Sequence, residues 1–318
     1  MSGSASVQSS SAALDIRPLG GRIGAEVVGL DLREPLDPER LRLLREALLE
    51  HLVLFLRDRP LSDDEHIAAA AQLGRPNVYP VTKARGLDQP LEFILDSEKS
   101  PPKTDLWHTD VAFLPEPPEI AMIQMLETPD AGGDTLWCNL HAAHDALSPA
   151  LQAFAAGLSQ DLHPGAYFQR TIEQQFGPGV YEKVAEEFSG TQHPLVRVHP
   201  ETGRRALFLC GTYARRLVEL SPEESDLLYG HLRSRLDDPN IQCRWRWRRH
   251  DVAIWDERST NHRALSDHYP ARRRIRRCTV GASRPLGVRA AADAGIAVAP
   301  LPSLEARDGT VAGGRLGA

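Results

Sequence analysis

The chain has 318 residues, enough for one large domain or two ordinary ones at roughly 100–200 residues each. Its 42% hydrophobic and 25% charged residues fit a globular protein, and no apolar run approaches the roughly 18 residues of a membrane span. A net charge of -6 excludes nucleic-acid binding by bulk charge, and the Ser-rich start lacks the basic and apolar regions of a secretory signal.

In chain order, residues 1–13 read as a disordered tail, 14–285 as one domain, and 286–318, rich in Ala, Gly and Pro, as a mostly disordered tail. Asp37-Pro38 ahead of Leu41, Leu44 and Leu48 predicts a capped helix. Residues 52–56 predict a short buried strand. Ser62-Asp63-Asp64-Glu65 is a capping box that opens a second helix. Strands follow at 119–126 and 135–138, a helix starts at Ser148-Pro149, and further strands are expected at 195–199 and 206–210. Ser221-Pro222-Glu223-Glu224 opens a helix that carries Leu227, Leu228 and Leu232. Residues 241–247 alternate, with Ile241, Cys243, Trp245 and Trp247 on one side and Gln242, Arg244 and Arg246 on the other. Strands at 252–255 and 273–280 complete a mainly β chain, a sandwich or barrel flanked by helices. Cys138, Cys210, Cys243 and Cys278 form no C-x-x-C pair, so they read as reduced core residues of a cytoplasmic protein.

Four stretches could carry chemistry. Trp107-His108-Thr109-Asp110 precedes the strand-like Val111-Ala112-Phe113. In an extended chain His108 and Asp110 share a side and could hold one metal ion, although His-x-Asp also arises by chance. His262 follows the strand at 252–255; a histidine there is by itself as consistent with a hydrogen-bonded surface residue. In Arg272-Arg273-Arg274-Ile275-Arg276-Arg277, a strand puts Arg273 and Arg277 on one face and Arg272, Arg274 and Arg276 on the other. One set must point inward, and a buried arginine needs an anion. Gly132-Gly133-Asp134-Thr135-Leu136-Trp137 reads as a hairpin turn. Taken together, two imidazoles and a carboxylate form the triad that suits non-haem Fe(II), and a nearby arginine could clasp a co-substrate carboxylate.

With these motifs, and with His193-Pro194-Leu195-Val196-Arg197, Arg244-Trp245-Arg246-Trp247 and Asp251-Val252-Ala253-Ile254-Trp255-Asp256 in the same order and spacing, the chain resembles the taurine dioxygenase (TauD/TfdA) family of Fe(II)- and 2-oxoglutarate-dependent dioxygenases. The resemblance implies a double-stranded β-helix (jelly roll) with flanking α-helices. It implies Fe(II), 2-oxoglutarate and O2 as cofactor and co-substrates, with succinate and CO2 as products. His108, Asp110 and His262 match the iron ligands and catalytic centre. Thr135 and Arg273 match the binders of the distal 2-oxoglutarate carboxylate, and Arg277 the arginine for an anionic substrate head. The other possibility for Arg277 is a protein carboxylate such as Asp256 or Glu257. Tyr79 and Tyr213 fall where relatives have substrate-pocket residues.

The family's histidine three positions before Tyr79 is here Pro76, and its Asn-rich lead-in to His-x-Asp is Lys103-Thr104-Asp105-Leu106. Both changes argue against taurine itself. The divergent stretch 163–179 is expected to shape substrate choice. The expected substrate is a small anionic metabolite: a sulfonate, sulfate ester, phosphate or carboxylate. Hydroxylation beside a heteroatom would collapse to an aldehyde. The expected assembly is a homo-oligomer, a dimer or tetramer, with no nucleic-acid or membrane partner. The competing reading is a non-redox metal hydrolase or isomerase on the same scaffold.

Overall fold

The computed structural model describes residues 13–300. Its centre is a seven-stranded sheet in the order Asp15–Pro18, Ala25–Val28, Val53–Leu56, Val252–Asp256, Pro118–Glu127, Arg273–Ala282, Glu92–Asp96. A three-stranded sheet of Gln242–Trp245, Thr135–Asn139 and Thr260–Ala264 packs across it. This is the jelly-roll arrangement, with a large and a small sheet enclosing the core.

Strand alternation explains the packing on both faces of the large sheet. Val53 and Phe55 point at the small sheet and meet Trp137, Trp245 and Trp247. Phe55 stacks on Trp245 with centroids 4.2 Å apart and meets Trp137 edge-on at 5.2 Å. Leu54 and Leu56 point the other way, into a cluster with Leu44 and Leu48 of the helix Pro38–His51 and Ala69 and Ala70 of the helix Asp63–Ala71. Burial on both sides makes these strands read as continuous apolar runs. Asp37 caps the first helix through Arg40 N, 2.9 Å away, and Ser62 with Glu65 forms the expected capping box of the second.

Between the small-sheet strands Thr135–Asn139 and Gln242–Trp245 runs an insertion with its own helices and three-stranded sheet. The helices that start at Pro149 and Pro222 lie where their caps predicted. Pro80–Ala84, Leu140–Asp145, Ala166–Phe176 and Val180–Glu187 add helices that the sequence did not announce. Ladder pairing of the alternating stretch covers Gln242–Trp245, yet the in-out pattern of burial continues to Trp247.

Two expectations need correction. Val111-Ala112-Phe113 forms a turn rather than a strand, with Val111 at φ 39 and Leu114 N bonded to Val111 O at 2.9 Å. These residues are buried because they join the cluster of Phe168, Ile172 and Tyr213, not because they pair in a sheet. The presumed tail from residue 286 is also not unstructured throughout its described part. Val288–Asp293 is a helix with Ala291 fully buried, and Val198 N bonds Leu286 O at 2.8 Å. Small residues there let the segment lie close against the strand Val196–Val198. The expected tail at residues 1–12 and the remainder at 301–318 lie outside the described residues.

Candidate metal centre and substrate cavity

His262 stands in the strand Thr260–Ala264, and His108 pairs with it by an isolated antiparallel bridge. His108 N donates to His262 O at 3.1 Å, and His262 N returns a bond to His108 O at 2.9 Å. The imidazoles are thereby set 4.2 Å apart, centroid to centroid. Asp110 Oδ1 lies 3.7 Å from His108 Nε2 and 3.9 Å from His262 Nε2.

One donor atom from each residue lies within 4.8 Å of the other two. Ligands at about 2.1 Å from one ion on adjacent positions stand about 3 Å apart, so the three side chains fit a cation with small rotations. His108 Nδ1 is 2.7 Å from Leu106 O and donates its proton there, which turns the Nε2 lone pair toward Asp110. Burial, reinforced by His108, lowers the His262 pKa to about 3, so that ring is neutral. Burial pushes Asp110 up, but the adjacent Arg277 guanidinium outweighs it and holds the carboxyl below the usual range. Two imidazoles with an anionic carboxylate suit Fe(II) and leave coordination positions open.

The strand Arg273–Ala282 supplies the basic groups. Arg273 and Arg277 are both buried, and each stands directly across the ladder from an acid: Asp96 opposite Arg273, Glu92 opposite Arg277. The expectation that only one arginine set points inward is incomplete. Arg276 is buried too, on the helix-covered face, where Asp63, Leu61 O and Gln124 Oε1 hold it. An irregularity between Arg274 and Ile275 offsets the pairing with Pro118–Glu127.

Arg273 and Thr135 meet as the resemblance implied. Arg273 Nη2 donates to Thr135 Oγ1 at 3.2 Å, and Nε donates to Gly133 O at 2.9 Å. Trp247 Nε1 donates to the same Thr135 Oγ1 at 3.0 Å. Asp96 Oδ2 lies 3.5 Å from Arg273 Nη1 and 3.4 Å from His268 Nε2. The glycine turn is therefore more than a hairpin. Gly133, at φ +70, brings its carbonyl to Arg273, and a Cβ there would sit 3.1 Å from Arg273 Cδ.

Arg277 has protein partners, but not Asp256 or Glu257. Glu92 Oε2 accepts from Nε at 3.0 Å and from Nη2 at 2.6 Å, and Asp110 Oδ2 accepts from Nη1. Asp256 is instead bound by His199 and Arg258. Glu257 accepts from Trp255 Nε1 at 2.8 Å and from Asp110 N at 3.3 Å. Burial, together with the charge of Asp110, pushes its carboxyl well above the ordinary range.

Asp110, Arg277 and Glu92 open into a cavity of about 380 Å³, which Tyr79 and Tyr213 also line. The divergent stretch forms the helix Ala166–Phe176, whose Phe168, Ile172 and Phe176 make an apolar wall. Glu92, Asp96, Trp247 and Gly133 were not foreseen at the site. Two acids four residues apart on a strand, matching two arginines four apart, are the signal that could have found the first pair.

Known proteins agree with this geometry. Residues 15–279 match the family described as Taurine catabolism dioxygenase TauD, TfdA family. The chain is 38% identical over 280 residues to an alkylsulfatase of Acinetobacter baylyi, covering 86% of this chain and 87% of that protein. It is 34% identical over 281 residues to an alpha-ketoglutarate-dependent sulfate ester dioxygenase of Pseudomonas putida, covering 86% and 92%. A crystal structure of a taurine dioxygenase from Burkholderia xenovorans matches with a TM-score of 0.73 at 32% identity, covering 87% of this chain and 94% of that one. A jelly roll that gathers His108, Asp110 and His262 beside paired arginines, matched over nearly all of its described length, belongs to the TauD/TfdA family of dioxygenases.

Proposed function

We propose that the chain is an Fe(II)- and 2-oxoglutarate-dependent dioxygenase that hydroxylates a small anionic metabolite, with sulfate esters and sulfonates the foremost candidates. The observation that carries this reading is the donor cluster of His108, Asp110 and His262 beside an apolar-walled cavity that His108, Asp110 and Arg277 line, with Arg273 buried four residues along the same strand as Arg277. The names of the two relatives above favour a sulfur oxyanion.

His108, Asp110 and His262 would hold Fe(II), and Arg273 with Thr135 would hold the distal carboxylate of 2-oxoglutarate. When bound, the iron couples O2-dependent decarboxylation of 2-oxoglutarate to insertion of oxygen into a C–H bond, yielding succinate and CO2. The protein's own contribution is positioning. The His108–His262 bridge fixes two donors relative to one another. Arg273 orients one carboxylate through a planar fork. The wall of Phe168, Ile172 and Phe176 keeps water from the reacting carbon. Arg277 offers the substrate head its remaining N–H groups. Where the hydroxylated carbon carries the ester oxygen, collapse releases the inorganic anion and an aldehyde.

A non-redox hydrolase or isomerase has no use for a second buried arginine with its own hydroxyl partner, and the relatives do not favour it. The deciding experiment measures succinate from the Fe(II)-loaded protein with 2-oxoglutarate and matched alkyl sulfates, sulfonates, carboxylates and neutral alcohols. Succinate release that needs both Fe(II) and O2 and is accelerated by an anion is expected. Turnover of the primary substrate without O2, or with Zn(II) alone, overturns the reading.

A further inference from the structure

A guanidinium has five N–H donors, and three of those on Arg277 are engaged, two by Glu92 and one by Asp110. The Arg277 guanidinium also lies over the ring of Tyr79, 5.1 Å from its centroid. Two further basic groups, Arg85 and Lys103, stand on the cavity wall. Arg85 lies over Phe176 at 4.5 Å, and Lys103 Nζ donates to Thr171 O at 3.3 Å. Glu92 lines the same cavity, and its side chain is 16% exposed.

We infer that Glu92 sets the charge of the head group this enzyme accepts: the pocket admits a monoanion and rejects a dianion. The inference rests on the reading of Arg277 as the head-group site. One negative charge gains the two N–H groups that Arg277 still has to offer. A second charge on the same head meets the Glu92 carboxylate that Arg277 already holds, in a partly buried site where like charges repel far more than in water. A carboxylate that excludes a competitor contributes to specificity as much as an arginine that attracts the right one. Sulfate esters, sulfonates and carboxylates carry one charge near neutral pH. Phosphate monoesters carry roughly 1.5 to 2. Phosphate monoesters, nucleotides included, therefore fall outside the substrate range.

The test uses the Fe(II)-loaded enzyme with three substrates of one alkyl chain: the sulfate ester, the phosphate monoester, and the methyl phosphate diester, which is a monoanion. kcat/KM is read from succinate release. The sulfate and the diester are expected to be turned over, and the smaller monoester to be worse than the diester by on the order of a hundredfold. Size cannot produce that order. Glu92→Gln should narrow the gap between monoester and diester by about tenfold or more, while Glu92→Asp, which keeps the charge, should preserve most of it. A wild-type enzyme that uses monoester and diester equally overturns the inference even if no variant folds. So does a Glu92→Gln enzyme with an unchanged ratio. If none of the three anions accelerates succinate release in the wild type, the anionic-substrate reading itself has failed, and the inference falls with it.

Discussion

His108 and His262 are joined by a reciprocal pair of backbone hydrogen bonds of 3.1 and 2.9 Å, so the main chain holds two candidate metal donors side by side. Asp110, on the turn that follows, brings the third donor of the cluster from a segment without such pairing.

The metal prediction follows from that division. His108→Ala or Asp110→Ala should abolish Fe(II)-dependent succinate formation; His108→Ala should leave the melting transition of the metal-free protein near its wild-type position, whereas Asp110→Ala should lower it because Arg277 loses a buried partner. Chelation should silence the wild type, and added Fe(II), not Zn(II), should restore it. Metal content by elemental analysis alongside turnover checks both. Full activity of metal-free His108→Ala protein would refute the assignment.

The co-substrate prediction concerns Arg273 and Thr135. Truncating an arginine that holds a carboxylate in a desolvated site costs roughly a hundredfold or more in affinity, so Arg273→Ala should raise the 2-oxoglutarate requirement by that order. Thr135→Ala should cost about tenfold. It should also cost stability, because Trp247 Nε1 loses its acceptor along with Arg273. An orphaned buried donor costs about 1–3 kcal/mol. Titration with 2-oxoglutarate and urea denaturation measure the two effects separately.

Gly133 gives a backbone counterpart. Alanine there is strained at φ +70 and crowds Arg273 Cδ. Gly133→Ala should weaken 2-oxoglutarate binding while leaving metal content intact. A variant with unchanged 2-oxoglutarate affinity would show that the turn plays no part in aiming Arg273.

Acid sensitivity should begin near neutrality. Burial lowers the pKa of His66 and His141 to about 3 and of His193 to about 4. In the unfolded chain each would protonate near 6.5, so between that value and 3 or 4 the unfolded state binds more protons. Stability therefore falls as pH drops below about 6.5, by up to about 1.4 kcal/mol per pH unit for each such residue. Urea midpoints at pH 7, 6 and 5 measure the slope, and His66→Gln should reduce it. A flat profile down to pH 5 would contradict the burial of these rings as neutral groups.

Much of the core was legible because alternation and caps are local signals. Trp245 and Trp247 point inward and Arg244 and Arg246 outward, as their spacing required. That His108, Asp110 and His262 come together, and that Arg273 meets Thr135, was legible through motif order. Glu92 was not, because its meaning depends on standing opposite Arg277 in a ladder that no short motif records. Val111–Phe113 misled for a related reason: apolar β-branched and aromatic residues look alike whether a sheet or an aromatic cluster buries them. The helix Ala166–Phe176 was hidden because Gly165 at its start offers no side-chain cap.

Arg276 makes the strand Arg273–Ala282 a two-sided part. Arg277 lines the cavity, while Arg276 is clasped from the opposite face by Asp63, Leu61 and Gln124. A one-residue slip of the whole strand would exchange the faces and drive Arg273 and Arg277 under the helices. Grafting this cavity onto another member of the fold would therefore need Asp63 and Gln124 to travel with the strand, even though neither lines the cavity.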